Sequence, residues 1–279
     1  MKKIWPYILV GPALIFLLTF RVGPTIYILI LSLESRNGLF PTLINYERLL
    51  NPRFIEVVFN SFYYVAGGIA VVVPTSLIVG LLLDQAIKGR GILRAVYFYP
   101  FTVVMTAVGI IWGYSFRPSG FVNQLLGYIG IQGPNWLGGS GIFAMPALII
   151  ATSWRYIGYF ALIFLSGLQT IPRSLYDAAE VDGANSFQIF WYITFHQLKP
   201  ITVFVLVFST IEFLRQFALP LIITKGGPFN KTNVLALEIY ERAFRYFEIN
   251  EAAAQSMVLI SLAIILSIIL YNVITRVMK

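Results

Sequence analysis

The sequence has few of the residues on which most enzyme active sites depend. Among its 279 residues there is no cysteine and a single histidine, and only 11% of the residues are charged. Without cysteine there are no disulfides, thiolate metal ligands or cysteine nucleophiles, and one histidine without an acidic cluster does not make a histidine metal site. The composition therefore predicts no bound metal and argues against most enzyme chemistry.

The low charge is matched by an excess of apolar residues. Soluble domains contain about 25% charged residues, whereas this chain is 58% hydrophobic and has a mean hydropathy of +0.79. One core of this size does not hide so much apolar surface, so lipid is expected to solvate much of it. The net charge of +8 arises from single Lys and Arg residues in short connections. It forms no basic stripe, so nucleic acid is not an expected partner. We expect a polytopic protein whose partner is membrane lipid.

Six stretches are long and apolar enough to cross a bilayer, which requires about 20 mainly apolar residues per helix. They are 5–33, 61–83, 97–116, 142–168, 201–224 and 252–275. The sequence thus predicts an all-α polytopic membrane protein with a single transmembrane domain over residues 1–279. The first stretch follows Lys2 and Lys3 but ends without a small-residue cleavage site, so it is interpreted as a span rather than as a signal peptide.

The distribution of positive residues favours an orientation with both termini in the cytoplasm. Lys and Arg are nearly balanced between the two sets of connections, but the rule is most reliable in short loops near span ends. The shortest connection, 84–94, carries Lys88, Arg90 and Arg94. With both termini inside, this connection and the segment 169–200 lie in the cytoplasm.

The segment 169–200 carries signals for two helices. Ser174 followed by Asp177 resembles a capping box, which predicts a helix start there. Gly183 is suited to end that helix in a left-handed conformation.

A second helix is predicted over 187–195, with Asn185 or Ser186 as its N-cap and Pro200 beyond its end. Together the two helices predict a helix-turn-helix at the membrane surface. Periodicity alone is also consistent with an amphipathic connector that rests on lipid headgroups.

The spacing within 169–200 resembles the EAA loop of permease subunits in binding-protein-dependent ABC importers. The family consensus is Glu-Ala-Ala, three residues, Gly, nine residues and Ile-x-Leu-Pro. The matching positions here are Asp177, Ala178, Ala179, Gly183 and Ile193. Asp177 replaces the consensus Glu, Phe195 replaces Leu, and His196 replaces Pro.

The resemblance extends over essentially the whole chain. Residues outside the loop are also similar to the carbohydrate-uptake permeases of the maltose and glycerol-phosphate type. They include Asn45-Tyr46, Asn60-Ser61, Gly91, Pro100, Trp136-Leu137, Ile171-Pro172 and Gly226-Gly227-Pro228. The resemblance implies the type I ABC importer permease fold and import of a sugar, oligosaccharide or related polyol or glycerol-phosphate solute.

The resemblance also implies partners. They are a second homologous permease subunit, a dimer of cytoplasmic ABC ATPases and an extracytoplasmic solute-binding protein, assembled at the inner or plasma membrane of a prokaryotic cell. The chain has no GxxxxGK[ST] loop. No cofactor is therefore expected in this chain, and ATP and Mg would be bound by the ATPase. The resemblance assigns coupling to the ATPase to one group of residues: Asp177, Ala178, Ala179, Asp182, Gly183 and Ala184.

A second group of candidate residues lies within the apolar stretches, where ionisable groups are costly and point to function. Arg155 and Glu212 each lie about 18 Å from the inner boundary if both stretches are helical. One interpretation is an ion pair between neighbouring spans. The other is a polar cavity for a hydroxylated solute, with tyrosines that stack on a sugar ring. The candidates for this path are Arg155, Tyr156, Tyr159, Glu212, Arg215 and Gln216.

Two other functional classes remain open at this point. An ion-coupled secondary transporter places carboxylates in broken helices near the midplane, but only Glu212 fits that position and no inverted repeat is evident. A membrane-embedded enzyme requires a catalytic constellation, which the sequence does not contain. The importer permease is therefore the leading prediction.

Overall fold

The computed structural model describes residues 5–85 and 89–277, and these residues form helices joined by turns and irregular connections, with no strand among them. This confirms the predicted all-α class. Lys2, Lys3, Lys88 and Lys279, which entered the orientation argument, lie outside the described residues. The chain divides into two compact units. Unit 1 is the described part of Met1–Glu56 with Glu238–Ser261, and unit 2 is the described part of Val57–Leu237 with Leu262–Lys279.

The helices are numbered in chain order. The first seven are α1 (Trp5–Leu17), α2 (Gly23–Ser32), α3 (Ile44–Arg48), α4 (Pro52–Asp84), α5 (Arg90–Thr102), α6 (Met105–Ser115) and α7 (Phe121–Tyr128). The others are α8 (Ala144–Leu168), α9 (Arg173–Val181), α10 (Ser186–Ile189), α11 (Phe195–Gln197), α12 (Lys199–Leu214), α13 (Leu235–Tyr240) and α14 (Ile249–Val277). Short π-helical segments lie at Leu18–Val22, Phe190–Thr194, Pro220–Thr224 and Glu241–Arg245.

Within the described residues, four helices are long and apolar enough to cross a membrane, and they agree with the predicted first, second, fourth and sixth spans. They are Leu9–Ser32, Pro52–Asp84, Ala144–Leu168 and Ile249–Val273. Two further pairs meet the same test only as bent pairs. α5 and α6 are bent by 95°, and Ser186–Gln197 and Lys199–Leu214 by 65°. Counting each pair as one span gives up to six, as predicted.

The predicted third span, 97–116, is not one continuous helix. α5 begins earlier, at Arg90, and ends at Thr102, after which Val103 and Val104 are extended with ψ of 134° and 141°. The break was not predicted, because hydropathy reports the apolar length of a stretch and not its backbone continuity.

The predicted fifth span, 201–224, is also interrupted. α12 ends at Leu214, and the chain becomes helical again before the π-helical Pro220–Thr224. A proline inside a helix clashes with the carbonyl four residues earlier, which is here that of Gln216. The break at 215–217 therefore falls where Pro220 disrupts the helical hydrogen bonds.

α8 is the most buried of the candidate spans, with 61% of its most apolar window inside the described fold. Glycines allow close approach where unit 2 helices meet. At Gly158 an added Cβ would overlap the backbone carbonyl of Tyr97 on α5. At Gly80 on α4 an added Cβ would meet the carbonyl oxygen of Ala161 at 3.1 Å. α8 thus lies directly against both α4 and α5.

Unit 1 is held together by one arginine among carboxylates. Arg242 lies 2.9 Å from Glu238, 2.6 Å from Glu248 and 3.3 Å from Glu251, and Arg53 adds a 3.4 Å contact to Glu238. Burial lowers the pKa of Arg242, but the hydrogen-bonded carboxylates outweigh it and raise the pKa above its ordinary value. The guanidinium therefore stays charged and links the segment after α13 to the start of α14.

We expect Gly158→Ala to destabilise the protein by about 1–3 kcal/mol, because the added methyl must displace main-chain atoms of α5. Gly113→Ala is the matched control, since it also adds a methyl in an apolar helix but meets no atom within 4 Å. The measurement is the midpoint of thermal unfolding of the purified protein. Equal midpoints for the two variants would contradict the close approach of α5 and α8.

Candidate functional site

The predicted helix-turn-helix between the fourth and fifth spans is present as α9 and α10, and its first helix is largely exposed. Four of the predicted coupling residues are exposed, namely Asp177, Ala178, Asp182 and Gly183. Ala179 and Ala184 are half-buried. Val181, at the end of α9, is 88% exposed. α9 thus presents acidic and small side chains on a surface that the described residues leave open.

Gly183 ends α9 as predicted. Its φ is +77°, in the left-handed region that favours glycine. The amide of Ala184 donates to the carbonyl of Ala179 at 2.9 Å, and the amide of Gly183 donates to the carbonyl of Glu180 at 3.1 Å. This pair of bonds is a Schellman motif, which satisfies carbonyls at the helix end. An added Cβ at Gly183 would meet no atom within 4 Å, so only its backbone conformation constrains the residue.

The two helix starts turned out differently. Ser174 is not a cap, because α9 begins at Arg173 with Pro172 in the N-cap position. The prediction was wrong because Pro172, extended with φ of −61° and ψ of 131°, starts the helix two residues before the expected place. Asn185 caps α10 as predicted. Its side chain accepts from the amide of Gln188 at 2.9 Å, and the Gln188 side chain accepts from the amide of Asn185 at 2.8 Å.

A polar cavity of about 490 Å³ adjoins α9. Its lining brings together both charge signs: Asp84, Arg90, Gln169, Arg173, Tyr176 and Asp177. On α9, the hydroxyl of Tyr176 lies 3.2 Å from that of Thr194 in the second arm of the helix-turn-helix. The charged walls suit a polar protein segment better than an apolar one.

Arg155 does not form the ion pair that was one of its two interpretations. None of the salt bridges among the described residues joins it to Glu212. Instead its Nη1 donates to the carbonyls of Phe101 at 2.5 Å and Val103 at 2.9 Å. These carbonyls lie at the break between α5 and α6. Arg155 therefore caps the end of a broken helix from the side.

Glu212 has two other partners. The hydroxyl of Tyr156 donates to its carboxylate at 2.6 Å, and Arg215 lies 3.6 Å away, one turn further along. The Glu212 side chain is 23% exposed and that of Arg215 is 68% exposed. Arg215 is thus the most exposed charged group beside Arg155 and Glu212, which are both partly buried.

Gln216 joins the two breaks. Its side-chain amide lies 3.6 Å from the sulfur of Met105, the first residue of α6, and its carbonyl oxygen accepts from the amide of Ala218 at 3.2 Å. Gln216 therefore caps the restart of the fifth span while it contacts the third. We refer to Arg155, Tyr156, Glu212, Arg215 and Gln216 as the break cluster.

Tyr159 lies beside the break cluster but is engaged with protein. Its ring stacks on Phe101 with centroids 4.3 Å apart. Sequence reasoning missed Phe101 and Met105, because neither is polar and their role comes from their position at the break. Pro100 and Pro220 were the available signals, since proline in an apolar helix often marks such an interruption.

Comparisons with known proteins agree on one family. The model of the family described as binding-protein-dependent transport system inner membrane component matches residues 4–279. The chain is 30% identical over 276 residues to the arabinooligosaccharides transport system permease protein AraP of Halalkalibacterium halodurans, which covers 96% of this chain and 86% of that protein. It is 32% identical over 280 residues to the sn-glycerol-3-phosphate transport system permease protein UgpA of Agrobacterium fabrum, with 95% and 93% covered.

The fold is similar to a solved structure. This is the crystal structure of a bacterial alginate ABC transporter in complex with alginate pentasaccharide-bound periplasmic protein, with a TM-score of 0.85 at 20% identity over 100% of this chain and 96% of that chain. At this identity the similarity is one of fold, and it confirms the predicted importer permease architecture.

A double-variant cycle on folded yield and thermal midpoint tests the break cluster. We expect Tyr156→Phe and Glu212→Gln each to cost about 1 kcal/mol, and the double variant to cost less than their sum. Both changes act on the same hydrogen bond: phenylalanine has no hydroxyl to donate, and the glutamine amide oxygen is an uncharged, weaker acceptor. Arg155→Met combined with Glu212→Gln should come closer to additivity, since no salt bridge joins the two residues and they share only Tyr156 as a neighbour. Mutual rescue by the Arg155 and Glu212 variants would instead reveal an ion pair.

Proposed function

The chain belongs to the binding-protein-dependent transport system inner membrane component family, and we propose that it is the permease subunit of an ATP-driven importer for a sugar, oligosaccharide or related polyol or glycerol-phosphate solute. The names of its relatives support this solute class. One observation carries the proposal, and it is helix α9. This helix is exposed, ends at a left-handed glycine, has the spacing of an EAA loop and directly follows the buried helix α8.

We propose one transmembrane domain over residues 1–279 with both termini in the cytoplasm, in the inner or plasma membrane of a prokaryotic cell. The positive residues of 84–94 support this orientation. The polar cavity beside α9 supports a common side of the membrane for that connection and α9, because Arg90 from the one and Asp177 from the other line it together.

The proposed partners are a second permease subunit, a cytoplasmic ATPase dimer and an extracytoplasmic solute-binding protein. A periplasmic protein accompanies the alginate transporter whose fold this chain resembles. ATP and Mg belong to the ATPase in this assignment, since the chain has no phosphate-cradling glycine-rich loop.

The coupling role falls to the exposed face of α9 and its end. Ala178 and Ala179 allow a groove of the ATPase to approach the helix closely, and Gly183 turns the chain sharply after it. Asp177 and Asp182 are exposed carboxylates available to basic side chains of the partner. Closure of the ATPase dimer would then displace α9 as a rigid body.

The solute path is proposed to run along the break cluster. Glu212 and Arg215 are the groups placed to hydrogen-bond a hydroxylated solute, because both are accessible at the end of α12. Tyr156 and Gln216 support them from buried positions. Arg155 and Tyr159, which contact Phe101, are assigned to the wall behind the path.

We expect Ala179→Asp and Gly183→Val to leave membrane insertion intact while lowering uptake and solute-stimulated ATP hydrolysis. Both changes act on a surface helix outside the apolar spans. Gly130→Val is the matched control, because Gly130 has a similar φ of +75° and an equally open surrounding but lies outside the coupling loop. The readouts are complex yield and uptake in membrane vesicles. Normal uptake in both α9 variants at normal yield would contradict the coupling assignment.

The proposed function itself is tested by reconstituting the chain with its ATPase, second permease and binding protein in vesicles. We expect ATP hydrolysis to rise when the binding protein carries its solute, with neutral oligosaccharides, polyols and glycerol phosphate as the panel. The isolated chain should neither bind nor hydrolyse ATP. Nucleotide binding by the purified, partner-free chain, or a complete complex that responds to none of these solutes, would overturn the assignment.

A further inference from the structure

Two adjacent residues of α8 hold the two broken spans. Arg155 binds the carbonyls that end α5, and Tyr156 binds Glu212 near the end of α12. Successive residues of a helix point about 100° apart, so neighbours on α8 reach different helices. The break in the third span and the break in the fifth are thus both tied to one turn of one helix.

Arg155 donates hydrogen bonds to backbone carbonyls at the first break. Carbonyls left without donors in an apolar environment are costly, and the extended residues 103–104 leave such carbonyls at the end of α5. The guanidinium donates to two of them within 2.9 Å, while its buried Nε has no hydrogen-bond partner. It also lies 5.0 Å above the ring of Phe101. The charge is therefore directed at the break rather than at an acid or an open space.

The second break is fixed by the next residue. Tyr156 is 4% exposed, and its hydroxyl is 2.6 Å from the Glu212 carboxylate. Glu212 lies two residues before the end of α12, so this bond ties α8 to the last turn of the helical part of the fifth span. Gln216 adds the 3.6 Å contact to Met105 that connects the two breaks directly.

We propose that Arg155 and Tyr156 form a clamp that makes the third and fifth spans move together with α8 during transport. Arg155 is then a positioning residue and not a solute ligand. The inference rests on the proposed function for its context, but the clamp is a property of unit 2 that is measurable without any solute.

The packing around the clamp favours movement as one body. Gly158, one turn beyond Arg155, brings the backbone of α8 against that of α5, so the two helices have no room for a side chain between them. Packed interfaces of this kind change between discrete arrangements rather than deform gradually. A displacement of α8 is therefore transmitted to both breaks.

The experiment uses the complete importer in lipid vesicles. Because the chain contains no cysteine, nitroxides can be placed at Val104→Cys, at the first break, and Phe204→Cys, on α12. Both side chains are well exposed, at 69% and 48%. The distance between the labels is measured by electron paramagnetic resonance without nucleotide and with ATP trapped by vanadate. We expect one narrow distribution in both states, because the two spans move together.

Loss of either clamp residue should separate the spans. In Arg155→Met and in Tyr156→Phe we expect a second, broader distance component in at least one state. Turnover at saturating solute should fall about tenfold, equivalent to about 1.4 kcal/mol, with KM unchanged.

Arg155→Lys should restore part of the narrow distribution, since its ammonium still donates to carbonyls. Tyr97→Phe, which removes an exposed hydroxyl on α5, is the matched control for Tyr156→Phe and should leave the distribution unchanged.

Two results would overturn the clamp. A narrow distribution in Arg155→Met together with a raised KM would make Arg155 a solute ligand and overturn the clamp. If Arg155→Met does not assemble, an unchanged distribution in Tyr156→Phe overturns the clamp as well. An inactive parent complex would count against the proposed function alone, because the label distances still report on the clamp.

Discussion

The structure depends on one constraint, which is that main-chain donors and acceptors inside an apolar environment need partners. An unbroken helix satisfies them internally, as α8 does over Ala144–Leu168. Where the third and fifth spans break, side chains take over that role. Arg155 serves the carbonyls at the first break, and Gln216 serves the amide of Ala218 at the second. Arg155 and Gln216 thus supply the backbone at the two breaks with the partners that a continuous helix would provide.

The sequence predicted features whose signals are local. Gly183 and Asn185 were identified correctly because a left-handed helix end and a capping box each depend on a few consecutive residues. The breaks at 103–104 and 215–217 were missed, since an apolar stretch has the same hydropathy whether its helix continues or not. The matched depth of Arg155 and Glu212 did not identify their partners either. Depth follows from counting residues along a helix, whereas contact also depends on which way each side chain points around it.

The surface helix α9 obtains its order by local means. The Schellman bonds at Gly183 and the capping box at Asn185 fix the turn between α9 and α10 through contacts within a few residues. Little of α9 is buried in the described fold, so its exposed face does not have to break existing contacts before it binds another surface. A preorganised helix of this kind loses less conformational entropy on binding than a flexible loop would. This preorganisation suits the nine-residue helix to the docking role proposed for it.

The route from α9 to the break cluster is short and stiff. Only residues 169–172 separate the end of α8 from the start of α9, and the amides of Thr170 and Ile171 continue helix-like bonds to Gly167 and Leu168. Arg155 lies thirteen residues before the end of α8, which is about 20 Å along an unbroken helix. In the proposed coupling, a displacement applied at α9 would reach the level of both breaks through α8. The third and fifth spans are both interrupted at that level, and Glu212 and Arg215 lie at the break in the fifth span.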